Sequence, residues 1–71
     1  MSETDAEAER RRRLRHDLRT PLTIVSGFAE VLAADRRISE ADRREYASRI
    51  HAAALEIREI VDALLTEGSD P

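Results

Sequence analysis

Cysteine and tryptophan are absent, and one phenylalanine and one tyrosine are the only aromatic residues. Without thiols the chain has neither a disulfide staple nor a thiolate metal site, and nothing in its composition points to an oxidising compartment. Few stacking groups, a net charge of -3 and no groove-reading motif disfavour nucleic acid as a partner. Apolar residues never run on for the roughly 20 positions needed to cross a bilayer, and the start "MSETDAEAERRRRLR" lacks the apolar centre of a signal peptide. A cytoplasmic location with no direct membrane span is the resulting expectation. The chain is also short: 71 residues make one small domain, whose core alone supplies about 3–5 kcal/mol at best. Association with another chain is the remaining source of stability.

What the sequence does have is helical periodicity. Thr4 and Glu7 stand at capping-box spacing, and the acids Glu3, Asp5, Glu7 and Glu9 suit the positive end of a helix dipole. These signals predict a first helix over about residues 5–34. Its apolar stripe is Leu14, Leu18, Leu22, Val25, Phe28 or Ala29, and Leu32, the three-and-four spacing of one helical face. Ser39 and Asp42 repeat the capping spacing and open a second helix over about 40–67, with Gly68 as its stop. Tyr46, Ile50, Ala53, Ile57, Ile60 and Leu64 then form a heptad seam suited to shallow-angle packing. The pairs Glu7–Arg11, Glu9–Arg13 and Glu45–Arg49 have i,i+4 spacing, worth about 0.2–0.5 kcal/mol each.

A short connection makes the helices antiparallel neighbours, and a lone hairpin leaves part of each stripe, including Val61 and Leu65, in water. The predicted fold is therefore all-α: an antiparallel helical hairpin that forms a homodimeric four-helix bundle, with a neighbouring domain over the same stripe as the alternative. Residues 1–13 are a charged lead-in to the first helix, 14–67 the folded domain, and 68–71 a polar tail. Met1 and the close "TEGSDP" read as natural ends, favouring a stand-alone protein over a fragment.

Within the first helix lies "HDLRTPLT", residues 16–23. Pro21 removes the amide that pairs with the Asp17 carbonyl, at a cost of roughly 3 kcal/mol in a helix interior, and loosens the turn that carries His16. At about 100° per residue His16 points away from the leucine stripe into solvent, and Thr20, Thr23 and Gly27 follow it along the outer face. An exposed imidazole attacks electrophiles such as a phosphoryl group when a neighbouring carboxylate, here Asp17, fixes its tautomer and steadies the developing positive charge. Thr20 offers a hydroxyl one turn on, suited to a water or a phosphate oxygen. Arg10–Arg13 and Arg15 form a basic patch, suited to phosphates of nucleic acid or acidic lipid or to an acidic protein pocket, with a solvated turn balanced by the preceding acids as the favoured reading. His51 is expected at the surface or the boundary of the seam, and no metal site is expected from two histidines without further ligands.

The run "HDLRTPLTIVSGFAEVLAAD", residues 16–35, resembles the H-box of the dimerisation and histidine-phosphotransfer domain of sensor histidine kinases, and "EADRREYASRIHAAALEIREIVDALL" resembles that domain's second helix. The resemblance covers Leu14 to Leu65. It implies that His16 is the phosphoacceptor, Asp17 the acid that activates the ring, and Thr20 the group that places water or phosphate. It further implies binding roles for Arg19, Pro21, Thr23 and Gly27, with the small Gly27 on the face where a receiver domain docks. No glycine-rich ATP lid follows Leu65, so the resemblance implies ATP-Mg delivered by a separate histidine-kinase ATP-binding domain, with a response-regulator receiver aspartate as the next acceptor. The segment before His16, "ERRRRLR", departs from the apolar and aromatic residues usual there. A catalytically silent dimerisation or response-regulator-binding module is the alternative on the same residues.

Overall fold

The computed structural model describes residues 3–34 and 37–68. Met1 and residues 69–71 of the polar tail lie outside the described residues, as do Asp35 and Arg36. Two helices, α1 (Glu3–Ala33) and α2 (Glu40–Gly68), follow one another along the chain. Helix α1 already includes Glu3 and Thr4, so Thr4 lies inside the helix instead of capping it. Ala6, Ala8 and the acids among them favour helical backbone and a positive dipole end, and they carry the helix past that threonine.

The start of α2 follows its sequence signal. The Asp42 N–H donates to Ser39 Oγ at 3.0 Å, and the Arg43 N–H donates to the Ser39 carbonyl at 2.9 Å. Ser39 is therefore an N-cap that satisfies an amide the first turn would leave orphaned. Ser39→Ala is expected to remove about 1 kcal/mol, seen as a thermal midpoint lowered by roughly 4–8 °C. An unchanged midpoint would show that water replaces the hydroxyl without loss.

The helices lie side by side in opposite senses. Near the connection the Phe28 and Tyr46 rings stack with centroids 5.1 Å apart and planes inclined by 28°. Further along, Asp17 and Ile60 share a cleft, as do Leu14 and Leu64. Descending numbers on α1 thus meet ascending numbers on α2. Along this seam Pro21 is fully buried and Ala53 is 6% exposed, while Leu14, Leu18, Val25, Phe28 and Leu32 of α1 and Tyr46, Ile50, Ile57 and Ile60 of α2 are half-buried.

The hairpin is one helix thick. Its extents are 54 × 24 × 12 Å, the last being a helix diameter. Its radius of gyration is 16.6 Å, against roughly 11 Å for a compact chain of this length. Each helix consequently covers one face of its neighbour and leaves another apolar face open. Leu22 is 48% exposed, Val61 40% and Leu65 64%. Surface ion pairs are local: Glu45–Arg49 closes at 2.7 Å and Glu40–Arg44 at 3.8 Å, while Glu9 takes Arg12 at 2.9 Å instead of Arg13. Among the described residues no ion pair joins Glu7 to Arg11. Exposed pairs of this kind contribute tenths of a kcal/mol, so apolar burial decides the fold.

Candidate functional site

The segment His16–Thr23 lies wholly within α1, which stays helical through Pro21. Proline has no N–H, so the Asp17 carbonyl lacks its donor one turn on. The ring of Pro21 is buried, not displayed on the outer face. Its influence on the site therefore passes through the backbone of the turn, and its apolar ring serves the core.

His16, Asp17 and Thr20 are all exposed, and they line one cleft of about 400 Å³ together with Glu56 and Ile60 of α2. Helical rotation explains the grouping. Thr20 lies about 40° round the axis from His16, and Asp17 lies about 100° round, towards α2. Adjacent helical side chains diverge, and no hydrogen bond joins His16 to Asp17 among the described residues. The ring is left open to an approaching electrophile, with a carboxylate on its α2 side and a hydroxyl one turn further on.

Glu56 and Ile60 complete the cleft from across the hairpin. Ile60 is legible in the sequence as part of the seam; Glu56 is not. Glu56 stands one residue before the seam position Ile57, and only the hairpin register brings it opposite His16. A second cleft, of about 180 Å³, adjoins the first and shares Asp17 and Ile60 with it. Its other walls include Arg10, Arg13, Leu14 and Leu64.

The remaining predicted residues are elsewhere. Arg19, Thr23 and Gly27 gather with Leu18 and Leu22 along an open groove of about 610 Å³ on α1 itself, on the side of His16 away from α2. A Cβ built on Gly27 would meet nothing within 4 Å, so nothing inside the hairpin demands glycine there. His51 is exposed on α2. Among the described residues, no three His, Cys, Asp or Glu side chains are placed to hold a metal ion, and no helix is long and apolar enough to cross a membrane.

A solvent-facing histidine, flanked by a carboxylate and a hydroxyl, thus stands on a small two-helix module. The chain belongs to the His Kinase A (phospho-acceptor) domain family, which matches residues 12–69. It is 33% identical over 66 residues to an uncharacterized sensor-like histidine kinase of Rhizobium meliloti (strain 1021), a match that covers 90% of this chain and 13% of that protein. The chain thus spans about an eighth of the length of this curated relative. No solved structure matches it.

Proposed function

We propose that this chain is the phosphoacceptor and dimerisation module of a two-component signalling system, with His16 carrying the phosphoryl group. The observation that carries this reading is the single cleft in which the exposed His16 ring meets Asp17 and Thr20, within a family of phospho-acceptor domains. ATP-Mg is held by a separate histidine-kinase ATP-binding domain. The His16 Nε2 lone pair attacks the γ-phosphorus, the N–P bond forms, and the P–O bond to ADP breaks with its electron pair leaving on ADP. Asp17 stabilises the positive charge that develops on the ring and accepts the Nδ1 proton, a contact that tightens when the donor docks. Discharge is the reverse in kind. A receiver-domain aspartate attacks phosphorus, the N–P bond breaks, and the ring recovers its electron pair and its proton. Thr20 orients water for loss of phosphate from the regulator, and Arg19, Thr23 and Gly27 form the face on which the receiver docks.

Two copies present the site. The exposed Leu22, Val61 and Leu65 support a homodimeric four-helix bundle, since a second hairpin covers the faces that the first leaves in water.

Incubation with the ATP-binding domain of a histidine kinase and radiolabelled ATP tests the chemistry. Acid-labile, alkali-stable label on this chain, chased off by a receiver domain, is the expected result; an unlabelled chain would overturn the reading. Asp17→Asn keeps shape and removes charge. It is expected to slow labelling by about 10²-fold, the lower end of general-base effects, with the helical circular dichroism spectrum unchanged.

A further inference from the structure

We infer that Arg13, supported by Arg10, forms an anion subsite that holds the phosphoryl group arriving at His16. The inference rests on His16 as phosphoacceptor and adds the group that meets the phosphate charge. On an ideal helix Arg13 lies one turn before His16 and about 60° round the axis, while Thr20 lies one turn after it on the same side. Arg10 and Arg13, three residues apart, line the cleft that shares Asp17 and Ile60 with the cleft of His16. Four other arginines lie within six residues of His16, and each is turned elsewhere; Arg11 lines a different cleft with Glu7 and Leu64. Arg12 is bound to Glu9 at 2.9 Å. Arg15 and Arg19 line the separate groove with Thr23 and Gly27. Among the described residues neither Arg10 nor Arg13 has an ion-pair partner, so their guanidinium groups are uncommitted.

The charges around His16 require such a group. Asp17 and Glu56 both border the ring's cleft, and a phosphoryl dianion on that ring would face two carboxylates. A cation within one turn offsets this repulsion, and a guanidinium offers paired N–H donors that match phosphate oxygens. Of the arginine run, whose sequence left phosphate contact and a solvated turn both open, one member thereby faces the chemistry. The ligand class is a phosphoryl dianion, whether on the donor or on the ring.

Phosphoramidate tests this without a kinase domain: its P–N bond breaks as the Nε2–P bond forms, and ammonia leaves. Initial rates of acid-labile phosphate uptake are measured on the whole chain for the parent, Arg13→Gln, Arg13→Lys and Arg44→Gln, the last matching the charge change at the far end of the hairpin. Arg13→Gln is expected to lower the rate about three- to fivefold at low salt, the scale of an exposed charge contact. Arg13→Lys should recover most of the loss, and Arg44→Gln should equal the parent. The difference should close near 1 M salt, where the screening length is about 3 Å. A rate for Arg13→Gln equal to the parent's at low salt overturns the subsite and leaves the phosphoacceptor intact, and so does a loss that persists at high salt, which marks a structural effect. No phosphate on the parent chain removes both.

Discussion

His16→Gln is expected to bring acid-labile phosphate on this chain down to background while leaving its helical spectrum and thermal midpoint intact. The separation of the two effects follows from where the ring sits. His16 is exposed and contributes nothing to the seam, and glutamine has the better helix propensity, so stability stays level or rises by a few tenths of a kcal/mol. Chemically the exchange is complete, because an amide nitrogen has no lone pair available for attack at phosphorus, whereas neutral imidazole presents one nitrogen as nucleophile and holds a proton on the other. Label remaining on the variant would place the phosphate on another group and remove the role assigned to the cleft. A labelled parent and an unlabelled variant that still binds the receiver would separate docking from chemistry. Binding and signalling output both unaffected by loss of the imidazole would instead identify a silent module.

Leu22→Glu is expected to halve the apparent mass in sedimentation and to lower helical content at the same concentration. Leu22 is 48% exposed in the single hairpin, and among the described residues the one fully buried side chain at the seam is Pro21. Burial of a leucine is worth about 1.5–3 kcal/mol, and twofold symmetry counts it twice, giving on the order of 3–6 kcal/mol per dimer before the desolvation of a carboxylate is added. A domain of this size has about 3–5 kcal/mol from its own core, against about 1.5–3 kcal/mol lost per chain, so one substitution takes a large share of the fold's stability. A helical, dimeric Leu22→Glu chain would place the interface on another face. A parent chain that stays folded and monomeric at high concentration would remove the bundle altogether.

Much of this is legible in the residues themselves. The leucine stripe and the heptad seam are periodic features that identify most of the half-buried positions, with Leu22 and Leu64 left exposed, because side-chain direction on a helix is set by a rotation of about 100° per residue. The Ser39 cap was legible for the same local reason: its hydroxyl bonds an amide three residues on. Thr4 shows the limit of such signals, since an identical spacing sits inside α1, which already includes Glu3. Pro21 shows another limit. Its effect on the backbone is written in the residue type, but the burial of its ring depends on α2 lying against it.

By itself the sequence determined two helices, their apolar faces, and a histidine turned to solvent beside an acid, since each of these follows from bonds and rotations within a few residues. The packing of one helix on the other set what the chain order could not: Glu56 and Ile60 stand across from His16, and Ile60 and Leu64 of α2 close a cleft over Arg13 and Asp17. The physical reason is register. Two antiparallel helices can slide by a turn, about 5.4 Å, with their seams still matched, and it is the packing of the Phe28–Tyr46 pair and the buried Pro21 and Ala53 that selects which residues meet.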